Sequence, residues 1–215
     1  MNYVQYGCGH QAPSGWQNFD SSPTLVLERL PLIGRFCTKN RARFPANVRR
    51  ANIVRGLPVS SGSADVVYCS HTLEHLALDE FRAALRNTFT ILKPGGVFRF
   101  VLPDLEFFIN EYARDSRPVA AHAFMERTML GVPERSHGLL GFLKGWLGGS
   151  EHLWMWDYKS MHHELAAAGF IDIRRAAYGD SGDRMFEGVE TPDRWMHCLG
   201  VECRRPLQAT PDSSP

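Results

Sequence analysis

The sequence predicts an α/β domain built around a largely parallel β-sheet, and three observations lead to that fold class. The run Ala64–Cys69 is nearly continuous in apolar and β-branched residues, which is typical of a strand buried on both faces of a parallel sheet. In Leu78–Leu92, apolar side chains recur at the spacing of one helical face. A further apolar strand at Val97–Leu102 continues the alternation of strands and helices that α/β domains show.

The amino-terminal part of the chain predicts three more strands and a short helix. The connection between its first two strands contains Pro13 and Gly15 and is too short for a full crossover helix. The predicted elements are strands at residues 3–6, 17–20 and 51–54, and a helix at residues 24–36 that Pro31 interrupts.

The pattern changes after the central strands. Lys93-Pro94-Gly95-Gly96 should end the helix before it, because proline cannot continue a helix and glycine permits the turn. A helix at Leu105–Tyr112 opens a stretch rich in glycine, and we interpret about 105–150 as a lid-like insertion over a ligand site. The other predicted elements are a helix at Ser160–Ala168, strands at Phe170–Ala177 and Trp195–Glu202, and a flexible tail at 206–215 after a single domain at 1–205.

Composition narrows the expected partners. The chain has 215 residues, of which 44% are hydrophobic, enough for one domain with a sizeable core. Lys and Arg number 24 against 23 Asp and Glu, so we expect no nucleic-acid partner. The basic residues Arg41, Arg43, Arg49 and Arg50 are interpreted as part of a solvated loop.

Cysteine usage and hydropathy bear on location. The five cysteines include no C-x-x-C pair, which favours reduced thiols over a disulfide framework. The sequence shows no signal peptide and no apolar stretch of the ~20 residues that a bilayer requires. We therefore expect a cytoplasmic protein that has no membrane partner.

A turn with two glycines follows the first predicted strand. Gly7-Cys8-Gly9 can bring the backbone close to a ligand, because glycine lacks a Cβ and tolerates a positive φ. Asp20 comes eleven residues after Gly9, where its carboxylate could accept hydrogen bonds from a ribose. Together the turn and the acid predict a nucleoside site at the carboxyl ends of the first strands.

Eight short segments follow one another in a fixed order along the chain. They are Gly7-Cys8-Gly9, Gly15–Asp20, Gly56-Leu57-Pro58, Ser63–Tyr68, Leu73–Leu76, Leu92–Gly96, Val101–Asp104 and Ala168-Gly169-Phe170. In this order and spacing they resemble the class I S-adenosylmethionine-dependent methyltransferases, over about Val4 to Val201. The resemblance implies a Rossmann-like three-layer sandwich with a seven-stranded, mostly parallel sheet and an antiparallel last strand. The cofactor S-adenosylmethionine would lie across the carboxyl ends of the first, second and fourth strands.

The resemblance also implies roles for individual residues. Gly7 and Gly9 would approach the methionine part of the cofactor, and Asp20 would bind both ribose hydroxyls. Asn52 and Ile53 would contact the adenine. Ser70 and His71 would border the methionine amino group and the substrate mouth, and Gln5 and Cys8 complete the predicted cofactor set.

The implied reaction is an in-line displacement that moves the sulfonium methyl group to an oxygen or nitrogen atom. His71 is a candidate general base, because the ordinary histidine pKa of ~6.5 lies near working pH. Asp104 is the second candidate, as a base or as a substrate anchor. The near-neutral charge and the aromatic stretch at 152–157 favour a small-molecule or glycan acceptor.

Other interpretations of the same residues stay open. Gly7-x-Gly9-x-x-Ala12 matches a dinucleotide fingerprint, although Asp20 comes too early for it. His71–His75 reads H-x-x-E-H, which would suit a zinc hydrolase, although we expect no metal. Three residues differ from those common in the family and keep open a non-catalytic methyltransferase-like interaction module. They are Gln5, Gln11 and Asn52.

Overall fold

A seven-stranded sheet forms the centre of the protein, for which a computed structural model describes residues 1–30, 43–132 and 151–207. The strands are β1 (Tyr3–Tyr6), β2 (Trp16–Asp20), β3 (Val48–Arg50), β4 (Ala64–Ser70), β5 (Leu92–Pro103), β6 (Ile171–Ala176) and β7 (Cys198–Arg204). Their order across the sheet is β3-β2-β1-β4-β5-β7-β6. β7 runs antiparallel to both neighbours and the other pairs are parallel, which confirms the predicted fold class.

Six α-helices and three 3-10 turns connect these strands within the described residues. The helices are α1 (Pro23–Glu28), α2 (Leu78–Ile91), α3 (Leu105–Arg114), α4 (Ala120–Arg127), α5 (Tyr158–Ala167) and α6 (Pro192–Trp195). The 3-10 turns are Ile53–Arg55, Leu73–His75 and Arg184–Gly188. α2 and α5 confirm the two helices that apolar spacing predicts most clearly, because each buries the face carrying its periodic apolar residues.

The third strand is the clearest departure from the predicted strand positions. It occupies Val48–Arg50 rather than residues 51–54. The Asn52 side chain accepts a hydrogen bond from the Val54 amide at 2.8 Å, and the chain turns there into the 3-10 turn Ile53–Arg55. A local asparagine cap has thus overridden the apolar run that suggested a strand.

The predicted stop after α2 is correct for the helix but not for the strand that follows. α2 ends at Ile91, and β5 begins at once with Leu92, so residues 93–96 lie inside the strand. The pairing of β4 with β5 shifts register at that point, so the extra residues of β5 form an irregularity at the start of the strand.

Part of the predicted lid and tail lies outside the described residues. Residues 105–132 contain α3 and α4, whereas residues 133–150, residues 31–36 of the predicted first helix, and the tail from residue 208 are not described. The roles of lid and tail stay predictions, as does the cytoplasmic location. In the described part of the chain, no helix has both the length and the apolar character needed to cross a bilayer.

The two faces of the sheet are covered in different ways. α2 and α5 pack on one face, where Phe81, Leu85 and Leu165 meet apolar side chains of β1, β4, β5 and β7. The connection between β1 and β2 has only nine residues, so it contains no helix that could cover the opposite face. Residues 177–195, which we call the cover segment, pack there instead.

The cover segment buries its own apolar residues against the sheet. Phe186, Val189 and Trp195 form a cluster with Tyr3, Trp16, Val66, Tyr68 and Val101 from four strands. Trp16 contacts Phe186 edge to face, with ring centroids 5.9 Å apart. The short β1–β2 connection is therefore compensated by a segment from the other end of the chain.

A fully buried arginine holds the cover segment on the sheet. Arg99 projects from the middle of β5 and donates from Nε to Glu190 at 2.6 Å. Its other donors reach Asp180 at 2.8 Å, Glu202 at 3.1 Å and the Ala177 carbonyl at 2.8 Å. The guanidinium also lies over the rings of Phe186 and Trp195, so every side of the cation has a partner.

We expect Arg99→Met to destabilise the protein by about 3–5 kcal/mol, because it leaves the buried Glu190 carboxylate without its cation. Urea unfolding of the free chain measures this change. Arg127→Met is the matched control, since Arg127 pairs with Glu111 at the surface and should cost less than about 1 kcal/mol. Equal losses in the two variants would contradict the anchoring role of Arg99.

Candidate functional site

The carboxyl ends of β1, β2 and β4 meet at one edge of the sheet. The strand order reverses between β1 and β4, which are direct neighbours in the sheet. Open parallel sheets bind ligands at such a switch point, just beyond the strand ends. Gly7 follows β1, Asp20 ends β2, and Ser70 ends β4, so the predicted cofactor residues of these strands lie at this edge.

Amide side chains, rather than a helix, hold the turn after β1 in place. Gln5 donates to the Gln11 carbonyl at 3.2 Å, and Asn18 donates to the Pro13 carbonyl at 3.1 Å. Asn47 donates to the Ala12 carbonyl at 2.9 Å. Gln5 therefore supports the turn from within the protein, and its contact with the cofactor stays a prediction.

The two glycines of the turn have different surroundings. Gly7 has a φ of 63°, and a Cβ built on it would lie 2.0 Å from Oγ1 of Thr72, so Gly7 is needed for close packing of β1 against the chain after β4. Gly9 has a φ of 54°, and a Cβ there would meet no atom within 4 Å. Only Gly9 therefore leaves open space in front of the turn.

Asp20 joins the turn to the end of β2. It is 8% exposed, and its Oδ2 accepts from the Gly9 amide at 2.8 Å while Oδ1 accepts from the Ser22 amide at 2.7 Å. A carboxylate offers about four lone-pair sites, so each oxygen can still accept a bond from another donor. This spare capacity is what two ribose hydroxyls would require.

Cys8 and Ile53 belong to the packed interior. Cys8 packs against Leu25 and Val48, and burial, with the charge of Asp20, raises the pKa of its thiol to about 12. It is therefore a neutral packing residue rather than a nucleophile. Ile53 is 4% exposed in the main core, and the neighbouring Asn52 caps the 3-10 turn, so their predicted adenine contacts stay predictions.

Ser70 is bound by a residue of the cover segment. Arg194 donates from Nε to the Ser70 hydroxyl at 2.8 Å and from a terminal nitrogen to the Ser70 carbonyl at 3.0 Å. Sequence reasoning missed Arg194, because nothing near it in the chain indicates a contact with β4, 124 residues away. Thr72 was also missed, because its partner Gly7 is 65 residues away in the chain.

His71 is held on both sides of its ring. Nε2 donates to the Arg194 carbonyl at 2.8 Å, and Nδ1 lies 3.2 Å from Oε1 of Glu74. Burial alone would lower its pKa, but contacts with Cys198, Glu74 and the Arg194 carbonyl outweigh it and raise the pKa of His71 to about 10. Both ring nitrogens of His71 thus have partners within the protein, and its role as a general base stays a prediction.

Asp104 has a structural task at the end of β5. Its Oδ1 accepts from the Glu106 amide at 2.9 Å and caps α3, and its Oδ2 lies 3.4 Å from Arg175. His71 is near, since its amide donates to the Val101 carbonyl of β5 at 2.9 Å. Both predicted catalytic residues therefore flank the same edge of the sheet, and both use their polar atoms in contacts within the protein.

The segment His71–His75 does not form the zinc-peptidase motif. That motif needs two histidines one turn apart on an α-helix. Here only Leu73–His75 form a 3-10 turn, and His71 has a left-handed φ of 50°, so the two imidazoles do not share a helix face. The zinc-hydrolase interpretation with His71 and His75 as the two ligands is therefore wrong.

Comparisons with known proteins agree with this fold. A family model for the methyltransferase domain matches residues 3–174. A search of curated proteins found no match. Among solved structures, an S-adenosylmethionine-dependent methyltransferase from Mesorhizobium loti is 18% identical, with 95% of this chain and 90% of that chain covered and a TM-score of 0.50.

Two further structures are similar to the same extent. One is a SAM-dependent methyltransferase from Archaeoglobus fulgidus, 13% identical, with 95% and 86% of the two chains covered and a TM-score of 0.50. The other comes from the complex between the Haloferax volcanii Trm112 methyltransferase activator and a methyltransferase, 17% identical, with 95% and 82% covered and a TM-score of 0.50. At such identities these likenesses show the fold alone.

An open parallel sheet with a glycine turn and an acid at its switch point defines a nucleoside-binding α/β domain. Since the family model covers most of its length, the chain belongs to the S-adenosylmethionine-dependent methyltransferase family, and S-adenosylmethionine is its cofactor. The residues present fit that cofactor, because the space in front of Gly9 is open and the Asp20 carboxylate beside it can accept further hydrogen bonds.

We expect Gly7→Ala to destabilise the protein more than Gly9→Ala, although both glycines have a positive φ. The left-handed conformation costs about 1–2 kcal/mol for alanine at either position, and only position 7 adds a collision with Thr72. Urea unfolding of both variants tests this difference. Adding Thr72→Ala should recover part of the loss at position 7 and none at position 9, and recovery at neither position would contradict the packing described here.

Proposed function

We propose that this protein moves the methyl group of S-adenosylmethionine to an oxygen or nitrogen atom of a small-molecule or glycan acceptor. Asp20 carries the proposal, because it is a nearly buried carboxylate with unused acceptor capacity beside the open side of Gly9. In this proposal Asp20 binds the ribose hydroxyls and the Gly9 backbone faces the methionine part. Ser70 and His71 then border the departing sulfur from the end of β4.

The residues at the strand ends act by positioning and by excluding water. The cofactor supplies an activated methyl group on a good leaving group, so the protein has little covalent chemistry to perform. Arg194 fixes Ser70 and His71 in one arrangement through three hydrogen bonds. We therefore assign His71 a positioning role and Asp104 the α3 cap at the substrate mouth, with alignment of donor and acceptor as the main source of rate.

Aromatic surfaces beside the end of β5 support a small or sugar-like acceptor. The rings of Phe107 and His197 are stacked with centroids 4.2 Å apart and an interplanar angle of 15°. His197 is next to Cys198, which pairs with Pro103 at the end of β5, so this stack lies close to Asp104. His197 is the exposed member of this stack, and its ring favours flat or ring-shaped acceptors, whereas the near-neutral net charge gives no attraction for a polyanion.

We expect Asp20→Asn to weaken binding of S-adenosylhomocysteine at least tenfold, because hydrogen bonds to a charged carboxylate contribute about 1.5–3 kcal/mol. Calorimetric titration measures the affinity, and thermal unfolding reports whether the turn survives the change. Asp65→Asn is the matched control, since Asp65 lies at the opposite end of the sheet, where it pairs with Lys93.

Transfer of labelled methyl from S-adenosylmethionine to mono- and oligosaccharides and to small hydroxyl or amine compounds tests the acceptor class. Labelled product that the wild type forms and Asp20→Asn does not would support the proposal. Unchanged affinity in Asp20→Asn would contradict the ribose role, and labelling confined to RNA or protein would contradict the acceptor class.

A further inference from the structure

A cluster of side chains of the kinds that bind metals lies just after His71 in the fold. The proposed methyl transfer does not use these side chains. Glu74 and His75 belong to the 3-10 turn after β4, and His152 comes from the segment that leads into α5. One carboxylate oxygen and one nitrogen of each imidazole lie within 4.8 Å of one another. Three ligand-type atoms from two distant parts of the chain therefore converge.

The cluster contains buried polar atoms that lack partners. Glu74 is fully buried, and neither of its carboxylate oxygens has a hydrogen-bond partner among the described residues. His71 lies 3.2 Å from Oε1 and can meet that oxygen as a cation, so Oε2 is the carboxylate oxygen that no described residue meets. His152 is 8% exposed, and its Nδ1 is likewise without a partner in the described chain. Such groups are costly to bury unless a donor or a cation meets them.

Contacts within the protein orient the His75 ring and hold the segment of His152 against Glu74. The His75 Nδ1 lies 3.0 Å from the Glu151 carbonyl, so it donates there and leaves Nε2 with a free lone pair, as in many metal-binding histidines. The Glu74 carbonyl accepts from the Leu153 amide at 2.8 Å and from the Trp154 amide at 3.1 Å. These backbone bonds fix the segment of His152 directly on the turn of Glu74.

We propose that Glu74, His75 and His152 bind one divalent transition-metal ion, for which zinc is the best match. Two imidazoles and one carboxylate are a set that zinc accepts, with a fourth position left for water or another ligand. Ligand atoms about 2.0–2.2 Å from a tetrahedral zinc lie about 3.3–3.6 Å apart, so atoms that lie within 4.8 Å of one another close by up to about 1.5 Å when the ion binds. The site shares His75 with the H-x-x-E-H segment but uses His152 in place of His71.

The experiment is a zinc measurement on the full-length chain. The protein is treated with a chelator, dialysed against Zn²⁺, freed of excess metal, and analysed for zinc per chain by mass spectrometry. Competition with a chromophoric chelator gives the affinity, and Co²⁺ in place of zinc gives an absorption band that reports coordination. We expect one zinc per chain and at least tenfold weaker binding in both His75→Gln and His152→Gln.

Matched measurements separate metal binding from folding and from methyl transfer. His163→Gln removes an exposed histidine of α5 and should keep full zinc binding. Thermal unfolding and S-adenosylhomocysteine affinity, measured on the same samples, show whether a variant is folded. The zinc site does not require S-adenosylhomocysteine binding, so the two results can differ. Absence of stoichiometric zinc in the wild type would overturn the proposal, as would zinc that stays fully bound in both His75→Gln and His152→Gln.

Discussion

The buried ion pair between Arg99 and Glu190 is the contact on which the arrangement of the site depends. The β1–β2 connection has no helix, so one face of the sheet would be exposed without the cover segment. Arg99 fixes that segment through two carboxylates, a carbonyl and two aromatic rings. A charge buried in mid-sheet is costly unless it is paired, so these contacts keep the cover segment on the sheet.

The same anchor extends to the carboxyl ends of the strands. The cover segment ends in α6, and Arg194 of that helix binds both Ser70 and His71. The turn after β1 packs against the chain that follows β4, where Gly7 faces Thr72. A contact in the middle of the sheet therefore determines how the polar groups at the edge are presented, and a methyltransferase that works by alignment depends on that arrangement.

The sequence predicted what depends on local pattern and missed what depends on distant polar contacts. β4, α2 and the meeting of Gly9 with Asp20 followed from apolar spacing and from the rule that neighbouring parallel strands end at one edge. The third strand was misplaced because a single asparagine cap overrode its apolar run. Arg194 and His152 carry no periodic signal, and their partners are 124 and 78 residues away in the chain. Only the folded structure shows those pairs.

A crystal structure of the protein soaked with S-adenosylhomocysteine tests the central claim most directly, since that claim is the position of the nucleoside at the switch point. We expect ligand density in front of Gly9, with both ribose hydroxyls within hydrogen-bond distance of the Asp20 carboxylate. Density at another part of the surface, or a ribose that does not touch Asp20, would contradict it.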